Sequence, residues 1–391
     1  MDLVFDVEAS GSQRNKAHPY DVRNKMCNIG FFDIDNNNKK IWKIEYDDEP
    51  YGQCLQEIQK YLDECTTLIG ANIKYDIAWL RRYGLRINPR TRVFDIQLAY
   101  YILGAQTESY PSVAGMSEHY GIEGKLDIVK EEYWDKGLDT DEVPYPILCE
   151  YLEQDLEVTK QLADILREEV KNSPFKMQKL ISVSMQDLIV LQDIEHNGLL
   201  YNVDKSMKKG DELVREIGVI DEWLKKVFGA SWFNPNSGDQ LSMFLYGGTV
   251  ELDGKEEYTF HYKDGRTAQK IRNTKIPFVS KGLFVPLPRT ELAKEGFYST
   301  NEGTLIKLAK TAKGEGKKII NTILHRAKLE KRRSTYYHGY PKVIQKMGWY
   351  DDDIIHSNFN QCVAASGRLS STKPNVQNIE GKVNEAFITR F

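Results

Sequence analysis

The stretch DLVFDVEAS, residues 2–10, decides how the front of this chain folds. Residues 2–7 are a short apolar run, β-branched and aromatic, and read as a buried strand. Side chains two apart on a strand point to the same face, so Asp6 and Glu8 share one. An unpaired charge inside an apolar strand is costly. That cost favours reading Asp6 as a ligand for a cation over reading it as a bystander, although a D-x-E on a strand, taken alone, is more often a solvated edge.

Working outward, residues 26–34 (MCNIGFFDI) and 40–46 (KIWKIEY) read as two more strands, joined by the polar turn Asp35–Lys39. Residues 51–65 carry Leu55, Ile58, Tyr61 and Leu62 at helical spacing. The segment TLIGANIKYDIAWLRRYG, residues 67–84, reads as strand, glycine turn and a helix closed near Gly84. VFDIQLAYYIL, residues 93–103, reads as a strand entering a helix. Residues 105–145 are polar and broken, and a long helix follows over about 146–170. Strands first, with helices interleaved, is the pattern of a mixed α/β layer domain.

Four acidic residues stand out in three contexts: Asp6 and Glu8 on the first strand, Asp76 at a helix start in NIKYD, and Asp155 inside the late helix in YLEQD. A four-residue step places Tyr151 on the same helical face as Asp155. Phosphodiester hydrolysis needs a nucleophile at neutral pH and stabilisation of the leaving oxygen, and two Mg²⁺ ions about 3.5–4 Å apart supply both. Hard cations take oxygen ligands, hence carboxylates and not Cys or His; Mn²⁺ could substitute. A phenol beside the attacking water can orient it, which is the role expected of Tyr151. Asn-x-x-x-Asp at a helix start is by itself more often a cap; order, element type and domain-scale spacing together carry the reading.

FDVE, GANIKYDIAWL and YLEQD resemble the three exonuclease motifs of the DEDD superfamily, in the form carried by the proofreading domain of A-family (Pol I type) DNA polymerases. Tyr, not His, four residues before the last Asp marks the DEDDy branch. The resemblance implies an RNase H-like fold and single-stranded 3′ ends as substrate. It implies that Asp6, Glu8 and Asp155 hold a first metal, that Asp6 bridges to a second, that Asp76 acts on the second through water, and that Asn72 lines the site. Asp95 matches a family position and reads as structural.

The second half carries further likeness to the same family. MQDLIVLQDIEHNGLLYNVDKS (185–206) resembles the entry to the polymerase region, WFNPNSGDQLSMFLY (232–246) and GFYSTNEGTLIKL (296–308) resemble thumb elements, and KLEKRRSTYYHGY (328–340) resembles the thumb helix that touches duplex phosphates. HSNFNQCVAASGRLSSTKPNVQNIE (356–380) is similar to a loop with T-G-R-L-S-S-x-x-P-N-L-Q-N-I-P, departing from it at Ser366, Val376 and Glu380. Lys328, Lys331, Arg332 and Arg333 form a cationic patch suited to phosphates without reading sequence. Arg368, Asn375, Gln377 and Asn378 offer groups suited to the minor-groove edges, which look alike for all base pairs.

The expected organisation is therefore an α/β exonuclease domain over 1–172, a mixed sheet flanked by helices, followed over 173–391 by a mainly helical thumb and the beginning of an α+β palm. A β-rich insertion over about 249–300 looks more like bacteriophage relatives. No D-Y-S or H-D-E motif follows QNIE, so the expectation is a proofreading exonuclease that acts on DNA, both single-stranded 3′ ends and primer-template duplex. A second polypeptide, as in a split polymerase, would bring the remaining palm and fingers. A stand-alone DEDDy nuclease with a nucleic-acid-binding tail and a non-catalytic scaffold are the alternatives.

Charge fits this division. Residues 1–170 hold 19 Lys and Arg against 32 Asp and Glu, a net of −13, whereas residues 301–391 hold 16 against 8, a net of +8. A basic back suits a polyanion, and an acidic front admits one where bound cations neutralise it. Five scattered cysteines without a CxxC read as reduced thiols. The acidic N-terminus is unlike a signal peptide and no run approaches the ~20 apolar residues that span a bilayer. The expected location is the cytoplasm, the host's if the chain is phage-encoded.

Overall fold

The computed structural model describes residues 1–11, 15–46, 52–122, 128–349 and 353–389. Contacts divide the chain into two compact units. One is Met1–Val203 together with Tyr340–Phe391, and the other is Asp204–Gly339. The boundary expected at residue 172 thus falls within the first of them.

Five strands form the central sheet of the first unit: β1 Asp2–Ser10, β2 Lys25–Asp33, β3 Asn38–Lys43, β4 Thr67–Gly70 and β5 Arg92–Asp95. Their order is β3-β2-β1-β4-β5. β1, β2 and β3 pair antiparallel, while β4 runs parallel to β1 and to β5. The connecting helices are α1 Gly52–Glu64, α2 Ile73–Arg82, α3 Ile96–Leu103, α4 Val113–Tyr120, α5 Ile128–Glu132, α6 Tyr145–Asn172 and α7 Phe175–Asn197. The helix expected over 51–65 is α1; residue 51 lies outside the described residues.

The two-residue period of β1 sorts its side chains onto two cores. Leu3, Phe5 and Val7 enter one with Ile58, Leu62 and Ile77; Val4 enters the other with Ile69, Leu152 and Leu156. Asp6 and Glu8 continue the Val4 side, the side on which α6 packs. Gly30 of β2 stands opposite Asp6 in the ladder. A Cβ there would lie 2.8 Å from Leu156 Cδ1 and 3.1 Å from Leu152, so the missing side chain lets α6 seat closely on the sheet. α7 also belongs to this body: Ile181, Met185 and Leu188 are buried in the first core. Lys171–Pro174 reads as a hinge in the sequence, yet the helix after it packs on the same sheet as the helix before it. No described helix is long and apolar enough to cross a membrane.

After the short strand β6 (Leu199–Leu200) come α8 Val203–Phe228, α9 Gly238–Tyr246, the hairpin β7 Gly248–His261 and β8 Thr267–Ser280, the short strands β9 Leu292–Lys294 and β10 Phe297–Tyr298, then α10 Glu302–Thr311 and α11 Gly314–Lys331. Leu224, Phe233, Phe244, Ile320 and Ile323 form the second unit's core, with Trp232 and Phe278 against it. The expected β-rich insertion is the β7–β8 hairpin, paired from Gly248↔Ser280 to His261↔Thr267. Val250 anchors its base in the core.

The chain returns to the first unit through α12 Gly339–Lys346 and the strands β11 Ile354–Ile355, β12 Asn358–Asn360 and β13 Ser370–Thr372. β11 pairs with β6, and β12 with β13. Cys362 packs into the first core, and all five cysteines are free thiols.

Candidate active site

β1 and α6 bring three of the four expected carboxylates together. Asp6, Glu8 and Asp155 each present an oxygen within 4.8 Å of the other two. Asp6 is half-buried, and Glu8 and Asp155 are buried. The one-face relation of Asp6 and Glu8 follows from the strand period, and the close seat at Gly30 delivers Asp155 to them from α6. Asp76 is buried on the first turn of α2. Burial first, then the charges of Asp6, Asp95 and Glu8, push its carboxyl well above the usual range. It therefore borders the cluster without belonging to the tight group of three.

Tyr151 is buried one helical turn before Asp155, its ring edge-on to Trp134 at 5.8 Å between centroids. Burial, the charges of Glu8, Asp155 and Asp6, and a hydrogen bond to Asp155 all raise its phenol, which therefore stays protonated. A protonated phenol among carboxylates is a hydrogen-bond donor.

α2 starts at Asn72, whose backbone is left-handed at φ 53 and whose side chain makes no cap bond. Asp95 does the capping. One carboxylate oxygen accepts from Ile73 N at 2.8 Å and the other from Leu98 N at 2.8 Å, so a single side chain holds the starts of α2 and α3. Burial raises its carboxyl to about 6, against backbone hydrogen bonds that lower it. Its role is structural, as the sequence reading has it.

Lys74, within the same NIKYD motif, carries no sign of its role in the sequence. Its ammonium meets Glu195 Oε1 of α7 at 2.5 Å and also donates to the carbonyl of Phe359 in β12. Glu195 in turn accepts from the Phe359 amide. Nothing in the spacing of Lys74 signals these partners, because they lie 121 and 285 residues away.

The expected phosphate-binding residues are of two kinds. Lys328 and Lys331 are exposed near the end of α11, and Arg332 is half-buried just beyond it. Arg333 is engaged locally: its Nε and a terminal nitrogen donate to Glu330 at 3.1 and 2.5 Å, a fork-to-carboxylate pairing. Arg326, which the sequence reading does not single out, is the buried cation of this helix. It donates to both oxygens of Asp221, at 2.7 and 3.1 Å, and to Asn236 Oδ1 at 2.7 Å. Its place in the apolar row of Ile319, Ile323 and Leu329 is the signal that could have found it. Arg368, in the connection between β12 and β13, and Asn375, Gln377 and Asn378, after β13, are exposed. Asn375 Oδ1 accepts from Gln377 N at 3.0 Å and from Ser371 Oγ at 3.2 Å, so this side chain also shapes the loop.

Comparison with known proteins agrees with this geometry. Residues 4–171 match the 3′-5′ exonuclease family, and residues 279–390 match DNA polymerase family A. The two matches together take in most of the chain, an exonuclease segment in front and a segment of DNA polymerase family A behind. It is 29% identical over 303 residues to DNA polymerase I of Bacillus subtilis, covering 75% of this chain and 28% of that protein. It is 28% identical over 312 residues to DNA polymerase I of Synechocystis, covering 79% and 26%. The DNA polymerase I of Pseudomonas aeruginosa is 26% identical over 344 residues, covering 85% and 32%. The chain thus spans less than a third of the length of these relatives. In fold it matches the polymerase domain of Pol1 from M. smegmatis, solved with DNA primer-template and dNTP, with a TM-score of 0.65 at 17% identity over 99% of this chain and 54% of that one. The chain thus pairs an exonuclease domain, a mixed sheet between helices, with a helical thumb and part of a polymerase domain.

Proposed function

We propose that this chain removes nucleotides one at a time from the 3′ end of single-stranded DNA, as the proofreading activity of an A-family polymerase. The observation that supports this most is the convergence of Asp6, Glu8 and Asp155 oxygens within 4.8 Å, with Asp76 and Tyr151 beside them. Like-charged buried carboxylates repel, and an all-oxygen donor set fits hard divalent ions such as Mg²⁺ or Mn²⁺. Asp6, Glu8 and Asp155 would hold the metal, with Asp76 completing the set. Bound there, such ions supply a nucleophilic water at neutral pH and stabilise charge on the leaving oxygen.

The chain's own groups do the rest. Tyr151, kept protonated by burial and by its acidic neighbours, orients the attacking water through its phenol oxygen. Asn72, exposed at the start of α2, contacts the terminal nucleotide. Lys328, Lys331 and Arg332 take duplex phosphates, and Arg368, Gln377 and Asn378 meet the minor groove. Residues 1–391 hold no D-Y-S or H-D-E sequence. We therefore assign them no nucleotide addition of their own; synthesis would require groups on other residues, with a second polypeptide as one source.

The test is digestion of a 5′-labelled single strand with Mg²⁺. Stepwise shortening that EDTA stops and Asp6→Ala abolishes is the expected result. Digestion that persists in Asp6→Ala would remove the site assignment, and none by the unaltered chain would remove the activity.

A further inference from the structure

Within the first unit, a cavity of about 690 Å³ opens where the edge strand β5 meets the end of α6 and the middle of α7. None of Asp6, Glu8, Asp76 and Asp155 lines it, so it is separate from the carboxylate cluster. Part of its wall is apolar: Phe94 of β5, Val170 of α6, and Ile181, Met185 and Ile189 of α7. Ser182 and Gln186 join that wall from exposed positions on α7.

The charged part of the wall is one-sided. Three guanidinium groups, Arg90, Arg92 and Arg167, line the cavity against one acid, Asp2. Asp2 and Arg167 answer each other at 3.0 Å, and Arg167 also lies over the Phe94 ring, 5.4 Å from its centroid. Arg90 and Arg92 meet no acidic group among the described residues; the Arg92 guanidinium reaches the Thr67 hydroxyl at 3.5 Å. The turn that presents Arg90 is pinned by Asn88, whose side chain accepts from the Arg90 amide at 3.0 Å and whose carbonyl accepts from the Thr91 amide at 2.9 Å. Two like charges are thus held on one rim with no counter-charge, an arrangement that an anion would relieve. Guanidinium forks match phosphate oxygens in pairs, and two of them balance a phosphate monoester, which carries about −1.5 to −2 at neutral pH. A flat ring would cover the apolar side chains, while Ser182 and Gln186 offer hydrogen bonds to its polar edges; an acyl chain would leave those two groups unused. The volume lies within the range of small-ligand sites, about 300–1,000 Å³.

We propose that this cavity binds a nucleoside monophosphate, with the phosphate on Arg90 and Arg92 and the base against the apolar side chains of α7. Binding here is independent of the nuclease reading: it needs no divalent ion and none of the cluster's carboxylates.

The experiment is equilibrium titration of the full chain with deoxyadenosine 5′-monophosphate in EDTA. Saturable binding at one site is expected, and Asp6→Ala should keep its affinity. Arg90→Ala with Arg92→Ala should weaken binding about tenfold or more, the scale of losing hydrogen bonds to a charged group. Both side chains are exposed, so the melting temperature should stay where it is. Arg90→Lys with Arg92→Lys should recover part of the affinity, because the charge returns without the fork. Ser182→Trp should block binding by bulk while both arginines remain. No saturable binding by the unaltered chain, or equal affinity in the double alanine variant, would overturn the proposal. So would inorganic phosphate that binds as tightly as the nucleotide, since the apolar wall would then contribute nothing. Loss of binding in Asp6→Ala would move the nucleotide to the carboxylates and overturn it as well. Digestion of DNA in Mg²⁺, present or absent, bears on the nuclease reading alone.

Discussion

Two clusters of buried charge, one in each unit, are built on opposite principles. In the second unit, the Arg326 guanidinium is matched by both oxygens of Asp221 and by Asn236, so its charge is answered inside the chain. In the first unit, Asp6, Glu8 and Asp155 crowd together, and burial, then the charges of Asp6, Asp95 and Glu8, raise the carboxyl of Asp76 beside them. Burying a charge is tolerated when a partner and hydrogen bonds replace water. The Arg326 cluster meets that condition and reads as architecture. The carboxylate cluster gathers one sign of charge at a cost to folding, and proteins keep such arrangements where something from outside completes them.

The comparison can be broken at either end. The largest effect expected is on activity: Asp6→Ala should lower the rate of single-strand digestion by about a thousandfold or more, the scale on which groups that stabilise reacting atoms contribute. A melting temperature kept or raised in the same variant would show that the carboxylate serves chemistry at the expense of stability. Asp221→Ala should do the reverse. It strands the Arg326 guanidinium, and breaking a buried pair costs about 3–5 kcal/mol. Chemical denaturation should show that loss in the thumb, while digestion of a short single strand keeps its rate; an unchanged denaturation midpoint would place Arg326 outside the architecture.

Gly30→Ala sharpens the comparison by moving the carboxylates apart without altering any of them. The new methyl meets Leu156 and Leu152, so α6 must lift, at a cost of about 1–3 kcal/mol. Digestion should slow by more than stability explains, because Asp155 and Tyr151 ride on α6. An unaffected rate would show that the seat at Gly30 does not set the site. The smallest effect is expected from Lys328→Ala. Duplex binding should lose about 0.9 from its salt slope, one phosphate's worth, with no preference for any sequence. An identical slope would take Lys328 off the phosphate path.

What the sequence reveals, and what it hides, follows from the range of the interactions. β1, α2 and α6 are legible because strand and helix periods are local and because Asp6, Glu8, Asp76 and Asp155 sit at fixed positions on them. Asp95 is legible as structural, although its double capping duty is not, since the two helices it serves are defined only by the turn at Gly70 and Asn72. The placement of α7 is hidden: Ile181, Met185 and Leu188 announce an apolar face but not which surface covers it. The hairpin β7–β8 gives only weak strand signals because, beyond Val250, its inward positions such as Leu252, Tyr258 and Phe260 are only half-buried, and charged or polar residues fill much of both faces, which lowers the contrast between them. Lys74 and Glu195 are illegible as a pair for want of any local sign.

That pair bears on how this chain can be taken apart. A fragment cut at the helix break near residue 172 would include every carboxylate of the cluster, yet it would leave behind Glu195 and Phe359, the groups that steady the helix bearing Asp76. Such an excised piece would carry a bare ammonium and an uncovered apolar flank where α7 had lain. Weak activity from it would reflect poor dissection and would say nothing against the catalytic assignment; the smallest faithful preparation must extend through α7 and include the returning β12–β13 hairpin.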